Sequence, residues 1–138
     1  MPPYHRYLED QRLCLVRYEG RMDGDDFIEA DQQIFRAVCG ENVRFLFDMR
    51  TVHITGGAET ARRYATWISE LDLPHTHPGI RQAIVVDDPQ DTGLSMLMTA
   101  ISAPDLEMMI FSSLEAACHS IGVDPEILEE HRDLIRAQ

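Results

Sequence analysis

Three acidic residues have the best claim to chemistry. Asp48 follows the apolar run Val43-Arg44-Phe45-Leu46-Phe47, and Asp87 and Asp88 follow a second run, Ile80 to Val86. If both runs are neighbouring strands, their carboxylates converge on one crevice and suit a hard cation such as magnesium, or a carboxyl pair with separated acid strengths. The simpler account is that Arg50 or backbone donors neutralise Asp48, and that either Asp88 caps a helix ahead of Pro89 or Asp91 does so ahead of Thr92. No third strand end supplies another carboxylate, so no metal or cofactor is assigned. His75 and His77 stand two apart between Pro74 and Pro78, too few for zinc without ligands from elsewhere, and read as an exposed turn. His53 needs an orienting carboxylate to act as a base, and Asp48 is the conceivable partner. Thr55-Gly56-Gly57 ahead of a helix offers backbone donors to an anion. There is no Gly-x-Ser-x-Gly elbow and no supported Cys-His pair. The expectation is that the chain is not an enzyme.

Composition removes further classes. The net charge is −12, and all 12 cationic residues are Arg. A chain without Lys has no Schiff-base lysine and no standard phosphate-binding loop. The acidic balance argues against nucleic acid and against anionic membrane surfaces. No apolar run approaches spanning length, and the start lacks a signal-peptide pattern, so a cytoplasmic protein is expected. Cys14, Cys39 and Cys118 are odd in number and set in apolar patterns, which predicts buried, unpaired thiols.

The elements that must position these residues alternate along the chain. Tyr4 to Leu8 and Arg12 to Glu19 read as strands joined by a turn at Glu9-Asp10-Gln11, the second strand covered on both faces and ended by Gly20. Asp23 caps a helix carrying Phe27, Ala30, Ile34, Phe35 and Val38, which Gly40 stops. The strand at 43–49 follows. The stretch from Asp48 to Gly57 then reads as a loop, and a helix runs from Ala58 to about Leu71 with Ala61, Tyr64, Ala65 and Ile68 on its stripe. Pro74 to Gly79 is a connector into the strand at 80–86. A helix with Leu94, Leu97, Met98 and Ile101 comes next, then a strand at 106–111. Ser112 and Glu115 have capping-box spacing for a helix with Leu114, Ala117, Cys118 and Ile121. Asp124-Pro125 opens a final helix, about 124–137, whose apolar side is Ile127, Leu128, Leu134 and Ile135. The four methionines Met96, Met98, Met108 and Met109 are expected in the core. The fold class is therefore α/β: one domain over residues 1–138 with a mostly parallel five-stranded sheet, an antiparallel N-terminal edge hairpin, helices packed on it and an extra C-terminal helix.

This order of elements, with Val43 to Arg50, Ala83 to Pro89 running to Gly93-Leu94-Ser95-Met96, and Ile110 to Ala117, resembles the SpoIIAA-like or STAS-like family of small bacterial α/β domains over roughly residues 4 to 123. The resemblance implies a non-enzymatic regulatory or adaptor domain that binds a protein partner. In the anti-sigma-factor antagonists of that superfamily a phosphorylatable Ser opens the helix after the Asp-ended strand. Here that place falls near Gly57 and no Ser lies between Asp48 and Ser69, so Thr51 and Thr55 are the only hydroxyls. A more distant similarity to Sec14-type lipid-transfer domains implies a small apolar ligand as an alternative. The expected interaction surface is Asp48, Arg50, Thr51, His53, Thr55, Gly56 and Gly57, with Asp87, Asp88 and Asp91 in the neighbouring loop. Thr55 is the favoured modification site, a homodimer through the last helix is an open alternative, and a metal-assisted hydrolase using Asp48, Asp87 and Asp88 is the third reading.

Overall fold

The computed structural model describes residues 4–87 and 107–136. Strand β1 (Tyr4–Leu8) turns through a 3-10 stretch, Glu9–Gln11, into β2 (Leu13–Met22). Helix α1 (Gly24–Ala37), strand β3 (Arg44–Ile54), helix α2 (Gly57–Glu70), the four-residue helix α3 (Leu73–Thr76) and strand β4 (Arg81–Val85) follow. After the segment outside the described residues come β5 (Glu107–Phe111), helix α4 (Leu114–Ser120) and a 3-10 segment, Pro125–His131. The sheet order is β1-β2-β3-β4-β5, with β1 antiparallel to β2 and every other pair parallel. The expected five-stranded α/β sheet with an antiparallel edge is thus the one that forms.

Two cores sit on the two faces of this sheet, because a strand sends alternate residues to opposite sides. Cys14, Val16 and Tyr18 of β2 and Phe45 and Phe47 of β3 meet Phe27, Ile34 and Phe35 of α1 and Tyr64 of α2. Leu13 and Leu15, Leu46, and Ala83 and Val85 of β4 meet Leu114, Ala117 and Cys118 of α4, then Leu128, Leu134 and Ile135 beyond it. Helix α1 starts where Asp23 accepts from the Asp26 amide while the Asp26 side chain accepts from the Asp23 amide, a reciprocal cap. The first core also contains a polar triad. The hydroxyls of Tyr18 and Tyr64 donate to the two oxygens of buried Asp31. Burial pushes the Asp31 carboxyl up to about 6 against the pull of the two phenols, and the same burial raises both tyrosines.

Several expectations are corrected. Gly20 does not end β2; with φ at 78° it turns inside the strand, which continues to Met22. Strand β3 likewise passes Asp48 and runs to Ile54, so most of the expected loop is extended chain. Ser113, one residue after Ser112, caps α4 by accepting from the Ala116 amide. The last element is a 3-10 segment followed by turns and not an α-helix, although Leu128, Leu134 and Ile135 reach the core as their helical spacing predicts. His77 is buried: its Nε2 lies 2.8 Å from the Val38 carbonyl and its Nδ1 2.7 Å from the Thr76 hydroxyl. The short α3 folds it inward, while His75 stays exposed. Cys14 and Cys118 are buried and their thiols are raised by desolvation to about 12 and about 11, but Cys39, in the turn after α1, is exposed. Met109, on the strand that is the sheet's edge among the described residues, is 56% exposed. The helix expected at Leu94 to Ile101, with Met96 and Met98, lies outside the described residues. No described helix is long and apolar enough to cross a membrane.

Candidate functional site

The site grows from an irregularity between β2 and β3. Arg17 stands opposite Asp48, yet the next pair is Glu19 opposite Thr51, so Met49 and Arg50 together face the single residue Tyr18. This is a β-bulge in β3, and it shifts the side-chain alternation by one. Before it, Phe45, Phe47 and Met49 point to the helix-covered core; after it, Val52 and Ile54 do. Asp48, Thr51 and His53 therefore belong to the other face, and Thr51 and His53 are exposed. The Thr51 hydroxyl donates to the Tyr18 carbonyl at 2.9 Å, fastening the bulge from its side chain.

At the bulge, Asp48 is 2% exposed and is held by one neighbour. Arg50 donates from Nε to Asp48 Oδ1 at 2.8 Å, from Nη2 to Oδ2 at 2.9 Å and from its backbone amide to Oδ1 at 3.1 Å. A bidentate guanidinium is the strongest common partner for a buried carboxylate. The same hydrogen bonds, then the charges of Asp48 and Asp87, hold the Arg50 proton more firmly. The simpler account of Asp48 is thus realised: it is paired with Arg50. His53 stands beside Arg21 in the register, and every hydrogen bond described for Asp48 goes to Arg50, so Asp48 does not orient His53 as a base.

Asp48 and Arg50 lie in the floor of an open groove of about 230 Å³, lined also by Arg17, Glu19, Thr51, Asp87 and Arg136. Asp48 pairs with Val85 across β3 and β4, which brings the end of β4, and with it Asp87, to the same rim. Asp88 and Asp91 lie outside the described residues. Beyond the bulge a second hollow is lined by Glu19, Gly20, Arg21, Met22, Asp26 and Thr51. Thr55 closes the strand, its amide donating to the Met22 carbonyl. Gly56, at φ 87°, and Gly57 then turn the chain into α2, and a Cβ on Gly56 would come within 2.5 Å of the Thr60 hydroxyl. That hydroxyl accepts from the Gly24 amide and donates to the Thr55 carbonyl, tying the start of α1 to the start of α2.

Among the described residues no group of three or more His, Cys, Asp or Glu is disposed to hold a metal ion. The groove mixes three guanidiniums with three carboxylates. Such a surface recognises charge and shape, and it presents no activated nucleophile. Arg17, Glu19 and Arg136 were not singled out from sequence. Arg17 carried a signal: it is a charge inside a strand read as covered on both faces, and a buried charge requires a partner.

With this geometry in view, the family is clear. The SpoIIAA-like family model matches residues 13–119, most of the chain, and the protein belongs to that family. Its members are in general non-enzymatic regulatory domains that bind protein partners. No curated protein matches the chain.

Proposed function

We propose that this chain is a non-enzymatic, cytoplasmic regulatory or adaptor domain, and that its partner protein docks on the rim formed by β3 from its bulge onward and the adjoining part of β2. The observation that carries the reading is the bulge, which turns Thr51 and His53 outward beside a groove in which Arg50 grips Asp48. Arg50 and Asp48 act as a fixed polar platform. Thr51, His53 and Asp87 provide the exposed contacts, and Gly56 and Gly57 set the entry of α2. Thr55 is the modification site in this reading. Thr51 already spends its hydroxyl on Tyr18, and Thr55 stands just before the positive end of α2, where an added phosphate is electrostatically favoured. A groove lined by six charged side chains and a threonine does not suit an apolar ligand.

A photoreactive side chain placed at His53, and in a second protein at the exposed Glu29 of α1, tests the surface in cells. A discrete partner adduct is expected from position 53 alone, and equal labelling from both positions refutes the docking surface. Equal partner recovery by the wild type and a Thr55→Ala, His53→Ala double variant of unchanged thermal stability would do the same.

A further inference from the structure

Three adjacent strands each send one arginine to the same short stretch near the C-terminus. Arg6 on β1 donates to both oxygens of Asp133, at 3.0 and 2.5 Å, and lies 2.9 Å from His131 Nδ1. Arg17 on β2 donates to the Leu134 carbonyl at 3.0 Å and the Asp133 carbonyl at 3.3 Å. Arg50 on β3 donates to the Arg136 carbonyl at 2.7 Å while it grips Asp48. Residues 133–136 therefore cross β1, β2 and β3 in order, read by one guanidinium per strand. Leu134 and Ile135, both buried, anchor the stretch in the core with Leu13, Leu15 and Leu46.

These contacts recognise a type of peptide. A carboxylate meets Arg6, two apolar side chains follow into the core, and main-chain carbonyls meet Arg17 and Arg50. Guanidiniums suit this role because their donors are fixed in a plane and remain charged. The arginines also retain capacity: Arg17 Nε is buried without a hydrogen-bond partner, with Glu19 the nearest acid at 3.6 Å. The stretch lies beyond residues 13–119, which the family model matches. It is attached at the rim where the partner surface is proposed.

We propose that Arg6, Arg17 and Arg50 form a cradle for a peptide bearing a carboxylate followed by two apolar residues, that residues 133–136 occupy it as an internal competitor, and that a partner's segment of the same chemistry displaces them. The regulatory sense of this cradle rests on the partner-binding reading above; the cradle itself does not. Displacement would free the Arg50 donor now given to Arg136 and open the groove above Asp48. A tethered occupant competes at a high effective concentration, so the resting chain holds its cradle closed.

The test uses the full chain and a fluorescent synthetic peptide of residues 131–136, with a scrambled peptide as control. A Leu134→Ala, Ile135→Ala chain is expected to bind the peptide about tenfold more tightly than the wild type, because affinity scales with the fraction of cradles left open. Adding Arg6→Gln should abolish the gain. Equal affinity of the wild-type and variant chains, or binding indifferent to Arg6→Gln or to scrambling, overturns the proposal. If the double variant lacks a cooperative melt, the Asp133→Asn chain replaces it, and unchanged peptide binding there overturns the proposal equally. Because no partner is present, the result is separate from the crosslinking at His53: either can fail while the other stands.

Discussion

The two faces of the sheet are closed by different means. Beneath α1 and α2 the cover is two fourteen-residue helices resting on aromatic rings, with Phe35 and Phe45 5.3 Å apart edge to face and Phe45 and Phe47 stacked at 5.6 Å. On the other face the cover among the described residues is the short α4 and a 3-10 segment, fastened by arginine side chains reaching main-chain carbonyls. Arg44 holds the Ile121 and Gly122 carbonyls at 3.2 and 3.0 Å, while Arg17 and Arg50 hold Leu134 and Arg136. One cover completes its own backbone hydrogen bonds; the other borrows donors from the sheet. The first should resist disturbance as a unit, whereas the second can be loosened one guanidinium at a time.

Neighbouring residues that face opposite ways give the largest test of this difference. Phe45→Ala should cost about 3–5 kcal/mol, and Leu46→Ala on the strapped face should fall at the lower end for buried leucines, about 2–3 kcal/mol, because a looser cover collapses into the space. Denaturant unfolding of both variants measures this, and a costlier Leu46→Ala would break the contrast.

The Asp31 triad makes the aromatic face respond to pH. Its carboxyl is raised from 3.8 to about 6 on folding, so between those values the folded chain keeps a proton that the unfolded chain releases. Stability is highest below that window and falls as pH rises through it, by about 3 kcal/mol in all. Asp31→Asn should flatten this part of a stability profile, and an unchanged slope would remove the triad as its source.

On the strapped face, Arg50→Ala leaves Asp48 buried with one backbone donor and should cost about 2 kcal/mol. Arg50→Lys should recover little, since an ammonium cannot reproduce the bidentate grip. Full recovery of thermal stability by Lys would show that charge alone matters there. The smallest effect separates the helix starts. Asp23→Ala should cost about 1 kcal/mol because the Asp26 amide loses its 3.0 Å acceptor, while Ser113→Ala, with a longer 3.3 Å bond, should cost about 0.5 kcal/mol. Unfolding midpoints that rank the two the other way would reverse this.

The legible parts of the chain are those in which residue type and spacing express burial. Phe45, Leu46 and Phe47 and the run into Val85 announced central strands, Asp23 announced a helix start, and the Asp48–Arg50 pair could be read from two residues two apart. The bulge could not. An inserted residue shifts the alternation, so Thr51 to Ile54 fell out of phase with Phe45 and Phe47 and looked like a loop, although Val52 and Ile54 keep their places on the core. His77 was misread for a related reason: flanking prolines suggest an exposed turn, and only the fold brings the Val38 carbonyl to its ring. The arginine clasps were hidden because their acceptors are main-chain carbonyls, which leave no trace in residue identity. Arg17, a charge amid Leu13 to Val16, was their one visible sign.

The exposure of Cys39 has a practical consequence. Cys39 lies in the turn between α1 and β3 and does not line the charged groove, while the other two thiols are shielded and poorly ionised. A maleimide dye or spin label should therefore react at one position, leaving the charged groove uncrowded and serving as the fixed partner for a second probe placed near residues 133–136.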